Sequence, residues 1–215
     1  MNVLIFGSSG ALGSQICSVF QENKYRVFTH PHDSPLDSLS LPPSSLDVVV
    51  WAQGVNLKDS ILDYSRSDCL SVINANVVYV LDSLNFLLAN KSIKNGAKLC
   101  ILSSIWQFLS RTEKLSYTIS KSSLSGLVNS LAIDLGSFDI KVNLVAPGVV
   151  DTPMSRQNMS PDQRNNVLEQ TPLCRLATTL DVANAVFSLC GPHNTFITGQ
   201  TLVVDGGFST SRIYK

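Results

Sequence analysis

The chain has 215 residues, 44% hydrophobic and 15% charged, which suits one globular domain with a single substantial core and excludes a disordered chain. Sixteen basic and sixteen acidic residues cancel, so there is no overall basic field to draw the chain to nucleic acid or to an anionic membrane. The five cysteines, Cys17, Cys69, Cys100, Cys174 and Cys190, show no metal or redox spacing and read as free thiols, mostly buried, in a reducing compartment, with no metal site.

The first element is a buried strand at 3–6. Ahead of it there is neither a charged leader nor an apolar stretch long enough for a signal peptide. No later run approaches the ~18 apolar residues of a membrane span, which points to a soluble, cytoplasmic protein. Gly7-Ser8-Ser9-Gly10-Ala11-Leu12-Gly13 follows this strand and opens a helix at about 11–23. Glycines there permit a tight turn and close backbone approach, and the helix N-terminus offers N–H groups to a pyrophosphate. Gly7, Ser9, Gly10, Leu12 and Gly13 are therefore candidates for dinucleotide binding.

A second strand at 27–29 ends near the position that touches an adenosine ribose, where an acid favours NAD and a base NADP. That position falls on or near Pro31, between His30 and His32, with Asp33 slightly late. With no acid at the strand end, His30 becomes a candidate contact and NADP(H) is favoured over NAD(H). Residues 31–46 then break the rhythm with four prolines and five serines. Either a strand and a helix are missing here or the strand is a vestige around Leu36-Asp37, and the sheet is abbreviated on that side.

Further strands at 48–51, 99–102, 142–145 and 202–204 alternate with helical patterns at about 69–90, 115–136 and 180–190. Lys91, Lys94 and Lys98 read as a solvated helix end. Alternation of this kind implies an α/β fold, a doubly wound parallel sheet in one domain spanning 1–215. Tyr117-Thr118-Ile119-Ser120-Lys121 opens the helix at 115–136. Residues four apart share a helix face. A cation beside a phenol favours the phenolate, which suits Tyr117 to pass a proton to or from a carbonyl oxygen.

Together these residues resemble the short-chain dehydrogenase/reductase family over nearly the whole chain. Leu102-Ser103-Ser104 ends a strand as the family's catalytic serine does, thirteen positions before Tyr117. That spacing favours Ser104, with Ser103 the competitor. Val72-Ile73-Asn74-Ala75-Asn76-Val77 resembles the mid-domain helix that carries the family's structural and proton-relay asparagine, at Asn76 or, less well matched, Asn74. Trp51-Ala52-Gln53-Gly54 stands where the family has Asn-Asn-Ala-Gly. The resemblance brings Ala52 and Gly54 close to the cofactor.

Pro147-Gly148-Val149-Val150-Asp151-Thr152 matches the segment that cradles the nicotinamide, with Val150 and Thr152 on its carboxamide. Residues 197–207, with Thr171-Pro172-Leu173-Cys174-Arg175-Leu176, look most like the 3-oxoacyl-carrier-protein reductase branch. Phe6 and Ala11 depart from the family pattern, and Asp37 either stands in for an adenine-contacting Asp or caps a turn.

The resemblance implies a Rossmann-like, NAD(P)(H)-dependent oxidoreductase interconverting a carbonyl and an alcohol. Tyr117 would be the acid/base and Ser104 the donor to the carbonyl oxygen. Lys121 would hold the nicotinamide ribose and lower the phenol's pKa, while Asn76 positions a water linking Lys121 to solvent. A catalytically silent NADP(H)-binding sensor or scaffold is the alternative. The expected partner is a small carbonyl or alcohol, with no nucleic acid and no membrane. A homodimer or homotetramer is expected, pairing through a helix that is apolar along Leu124, Leu127, Val128 and Leu131, unless those residues face the sheet. Met154 and Met159 suggest an adaptable lid, and Arg156 either greets an anion or faces solvent.

Overall fold

The computed structural model describes residues 1–31 and 34–211, the side chains of Met154, Gln157 and Asn158 excepted. The apolar runs form six strands: β1 (Asn2–Phe6), β2 (Arg26–His30), β3 (Leu46–Trp51), β4 (Ile93–Leu102), β5 (Lys141–Pro147) and β6 (Thr201–Val204). All neighbours pair in parallel, in the order β2-β1-β3-β4-β5-β6. β1, β3 and β5 are buried almost end to end, as strands covered on both faces must be.

α1 (Ala11–Glu22) and α7 (Thr179–Cys190) cover one face, where Ile16, Phe20, Val182 and Val186 pack with Val3, Ile5, Val48 and Val50. α3 (Tyr79–Ala89) and α4 (Leu115–Asp134) cover the other, where Leu84, Leu87, Leu124 and Val128 pack with Leu4, Val49, Leu99 and Leu144. Each such side chain withdrawn from water contributes about 1.5–3 kcal/mol. This is the doubly wound, Rossmann-like sheet expected from the alternation.

The shortening expected at 31–46 lies in the crossover from β2 to β3. Among the described residues it carries only a three-residue 3-10 turn, Leu36–Ser38. Of the two alternatives, strand and helix are therefore missing, and β2 is the sheet's edge. Parallel crossovers usually run through a helix. Here Leu36, Leu39 and Leu41 are what the crossover lays against the core. An aromatic cluster sits at the strand ends: Phe6 stacks on Trp51 at 5.7 Å between centroids and meets His30 and Tyr79 edge-on at 6.0 and 5.8 Å. Phe6 and Trp51, both departures from the family pattern, are thus each other's packing partners.

Three expectations need correction. The helix at 69–90 is interrupted: α2 (Arg66–Ile73) passes through a π-helical turn at Asn74–Val78 before α3 begins. By length and composition the stretch Arg66–Ala89 could cross a membrane, but its Val72, Val80, Leu84 and Leu87 are buried in the protein core. Of the three lysines only Lys91 stands at a helix end, exposed just past the Asn90 C-cap of α3; Lys94 and Lys98 lie on β4, with Lys94 bonded to Asp47 at 2.7 Å. Of the stripe Leu124, Leu127, Val128 and Leu131, the first and third are buried against the sheet and Leu127 and Leu131 pack partly buried beside them, so it turns toward the sheet. Of the cysteines, Cys69, Cys100 and Cys190 are buried, Cys17 is half-buried and Cys174 is exposed, and all five are free.

Candidate active site

All strands point their carboxyl ends to one edge, and the chain reverses direction across the sheet on passing from β2 back over β1 to β3. The crevice at such a reversal is where open α/β sheets bind ligands. The glycine turn stands there. Gly7 has φ +76°, and a Cβ on it would come within 2.5 Å of Gln53 N. A Cβ on Gly13 would meet Gly7 O at 2.1 Å. Both glycines are demanded by the protein's own packing.

Gly10 is different. As N-cap of α1 it has an ordinary φ of −75°, and its nearest obstacle to a Cβ is Gly7 O at 3.5 Å. No side chain caps this helix, so its first N–H groups remain for a ligand. Ser9 is exposed, and Leu12 lines the adjoining cavity. Beside Gly7, both polar atoms of the Gln53 amide are buried without a partner among the described residues. A cradle that a Cβ would fill, uncapped amides and an orphaned amide fit a dinucleotide phosphate with its adjoining ribose.

The second wall is built by β4, the segment after it, and α4. Ser103 and Ser104 follow β4, and the structure separates them. Ser103 Oγ donates to Gln107 Oε1 at 2.5 Å, tying down the 3-10 turn Ile105–Gln107. Ser104 Oγ accepts from Trp106 N at 3.3 Å and lines the same cavity as the Tyr117 phenol. Burial raises the pKa of Tyr117, and the neighbouring Ser104 hydroxyl works against that rise. The lowering expected from Lys121 is not what governs the phenol here: the ammonium lies 5.7 Å from the ring centroid and donates to Leu102 O at 3.0 Å. Burial brings Lys121 itself down from 10.5 to about 8.

Asn76 sits on the π-helical turn and is buried, whereas Asn74 is exposed. Its Oδ1 accepts from Val55 N at 2.8 Å, and its Nδ2 donates to Val55 O at 3.0 Å and to Ser120 Oγ at 2.9 Å. It therefore staples the segment after β3 to α4. A Cβ on Gly54 would stand 3.3 Å from both Asn76 Oδ1 and Lys121 Nζ, which brings these three residues to one spot. Ala52, half-buried, donates its N–H to Phe6 O at 3.0 Å. A π-helical turn at such a place is a recurrent feature of functional sites.

Past β5, Gly148 is held against the C-terminal turn, where a Cβ would meet Asp205 at 2.7 Å. Thr152 caps α5 (Pro153–Asn158), its Oγ1 accepting from Ser155 N at 3.2 Å, which leaves its hydroxyl proton free to donate. Leu12, Ser104, Tyr117, Pro147, Gly148, Val150 and Thr152 all line one cavity of about 620 Å³. α6 (Pro161–Gln170) closes over it with Gln163, Val167 and Gln170, and Met159 also lines it. The side chain of Met154 lies outside the described residues. Arg156 is bonded to Asp151 at 2.8 Å and is exposed.

The adenine side is not assembled in the same way. His30 is buried, its ring against Phe6 and its Nε2 3.1 Å from Ser34 O. It helps to hold the chain reversal after β2. Asp37 is exposed in the 3-10 turn. His32 and Asp33 lie outside the described residues.

The sequence reading overlooked four residues of this region. Asp59 is buried and accepts from both Ser116 N and Ser116 Oγ, anchoring the first turn of α4 one residue before Tyr117. Lys58, Arg111 and Lys114 line the cavity. The position of Lys114, one turn before Tyr117, was the only available signal.

A profile of the family described as Enoyl-(Acyl carrier protein) reductase matches residues 41–209. Glucose 1-dehydrogenase of Gluconobacter oxydans (strain 621H) is 33% identical over 170 residues, which cover 76% of this chain and 62% of that protein. The 3-oxoacyl-[acyl-carrier-protein] reductase FabG of Escherichia coli (strain K12) is 29% identical over 175 residues, 81% of this chain and 71% of that one. Among solved structures, a short chain dehydrogenase family protein from Francisella tularensis superposes with a TM-score of 0.87 at 24% identity, over 98% and 99% of the two chains. NADP-bound ElxO superposes with a TM-score of 0.83 at 23% identity and the same coverage. The chain belongs to the short-chain dehydrogenase/reductase family of oxidoreductases.

Proposed function

We propose that this protein is an NAD(P)(H)-dependent oxidoreductase that interconverts a carbonyl and an alcohol, with Tyr117 as general acid/base. The observation that carries the reading is that Ser104 and Tyr117 stand together on the wall of a 620 Å³ cavity, with Lys121 buried within 5.7 Å of the Tyr117 ring centroid. A nicotinamide dinucleotide, when bound, supplies or accepts the hydride. Tyr117 gives its hydroxyl proton to the substrate oxygen in reduction and takes it back in oxidation. Ser104 donates to the same oxygen, where negative charge grows in the transition state.

Lys121 spends one donor on Leu102 O and keeps two for the ribose hydroxyls. Its positive charge opposes the burial penalty of a phenolate at Tyr117. Asn76 fixes Val55 and Gly54 beside Lys121, keeping open the strip through which its protons exchange with solvent. Gly7, Gly10 and Gly13 hold the pyrophosphate at the start of α1. Val150 and Thr152 hold the carboxamide. Gln53 adds an amide to the ribose next to Gly7.

NADP(H) is favoured over NAD(H), because β2 ends in Thr29-His30 without a carboxylate to take a ribose diol. The protein acts in the cytoplasm on a small molecule, as a homodimer or homotetramer. Tyr117→Phe removes the proton and keeps the ring. Turnover of carbonyl substrates should fall about 10²–10⁴-fold, while the dissociation constants for NADPH and NADH stay within a factor of two or so of wild type, with NADPH the tighter. Cofactor binding with no turnover by the wild type, over a broad screen of aldehydes and ketones, would instead favour a silent binder of the same fold.

A further inference from the structure

The cavity that holds Ser104 and Tyr117 is lined by three cations, Lys58, Arg111 and Lys114, and by no aspartate or glutamate among the described residues. None of the three forms an ion pair among the described residues. Lys58 and Arg111 are exposed, and Arg111 lies over the Trp106 ring at 5.5 Å from its centroid. Lys114 is only 5% exposed. Its one hydrogen bond goes to a neutral group, Asn56 Oδ1 at 2.7 Å, and its ammonium stands 5.5 Å from the Tyr117 ring centroid. Positive charge thus runs from the mouth of the cavity to the side of the phenol.

The acids nearby do not neutralise it. Asp59 is committed to Ser116, and Glu113 is exposed. Burial first, then Arg111 and Lys58, bring the pKa of Lys114 down to about 8, with Asp59 and Glu113 acting in the opposite sense. A buried cation without a direct ion-pair partner is costly to the fold. A ligand that brings the negative charge offsets that cost, and the exposed pair at the mouth raises its local concentration.

We propose that the substrate carries a carboxylate a few bonds from its reacting carbon, an oxo acid or hydroxy acid, and that Lys114 pairs with this group while Lys58 and Arg111 guide it in. This deepens the oxidoreductase reading and rests on it for the identity of the second functional group. Lys114 is then a specificity-determining residue. The pairing selects acids over their esters, because an ester leaves the buried ammonium unpaired.

The test uses pyruvate, 3-oxobutanoate and 4-oxopentanoate, which space carbonyl and carboxylate differently, each beside its ethyl ester, and 2-oxopropylphosphonate as the phosphate-like arm. Reduction is followed with NADPH and NADH, and binding by the fluorescence of Trp106, which lines the cavity. For at least one spacing the wild type should prefer acid to ester about tenfold or more in kcat/KM. Lys114→Met should bring that ratio to about one, chiefly through the KM of the acid, and Lys114→Arg should restore most of it. Preference for the phosphonate over every carboxylate would replace the carboxylate by a phosphoryl group and overturn the oxo-acid assignment.

A wild type that reduces esters as well as acids, or a Lys114→Met that slows both alike, would overturn the proposal and leave the oxidoreductase standing. Acid binding that depends on Lys114 without any turnover would do the reverse. Absence of both acid binding and acid turnover overturns the proposal outright. Lys58→Gln with Arg111→Gln, both on the exposed rim, should weaken acid binding less than Lys114→Met and guards against a folding defect in the latter.

Discussion

Lys121 is costly to bury, and its cost has a measurable sign. Burial alone takes its pKa from 10.5 to about 8. The folded protein therefore releases this proton at a lower pH than the unfolded chain does, and stability rises with pH between about 8 and 10.5. Below pH 8 the buried ammonium carries the whole penalty, roughly 3 kcal/mol at about 1.4 kcal/mol per unit. Lys121→Met removes the charge but also the bond to Leu102 O, so it should melt no lower than wild type at pH 7 while losing turnover. Wild type should then gain on the variant as pH rises from 8 to 10. Melting curves of both proteins across that range check it. A variant that melts well below wild type by an amount independent of pH would mean that the ammonium is fully compensated where it stands. Stability given up for a charge held next to the phenol is the trade expected of a working site rather than of a structural lysine.

At the scale of elements, three glycines of one turn do different jobs, and only the structure divides the labour. Gly7 and Gly13 each face backbone atoms closer than a Cβ can stand, whereas a Cβ on Gly10 would meet only Gly7 O, at an ordinary contact distance of 3.5 Å. Gly13→Ala should therefore cost several kcal/mol by forcing α1 away from the turn. Gly10→Ala should melt within a degree or two of wild type, yet bind NADPH about tenfold or more weakly, because its methyl occupies the place of the phosphate. Thermal melts and a cofactor titration on the two variants separate these outcomes. Equal cofactor affinity in Gly10→Ala and wild type would remove the phosphate from this turn.

The existence and order of these elements were legible, because strands buried on both faces and helices with one apolar face leave periodic patterns. The π-helical turn at Asn74–Val78 left none, since a single turn is too short to set up an apolar period of its own. Nor did Asp59: its role depends on a contact with Ser116 across 57 positions, which no local spacing encodes. His30 illustrates the opposite failure. Its position along the chain suggested the ribose, but Phe6, an unusual neighbour, turned its ring into the core.

For the whole molecule the open question is what covers the edge at β6. The stripe on α4 that suggested pairing is spent on the protein's own sheet, and the apolar surface that remains lies elsewhere. Phe196, Ile197, Leu202, Val203 and Leu173 are all exposed, around the outermost strand on the side opposite β2. An edge strand of this kind, with unpaired backbone groups and apolar side chains, is a liability unless another surface covers it. A second copy of the chain would cover it symmetrically. Light scattering should therefore give a mass at least twice that of one chain. Val203→Lys, which puts a charge on that edge, should shift the mass toward one chain. Val203 is not among the residues that line the cavity, so the dissociated variant should still bind NADPH. Wild type scattering as a single chain at micromolar concentration would sink this assembly. A Val203→Lys protein that keeps the wild-type mass would move the contact to another face, with Ile119 and Ile133 on the outer side of α4 as the remaining exposed apolar residues of that helix.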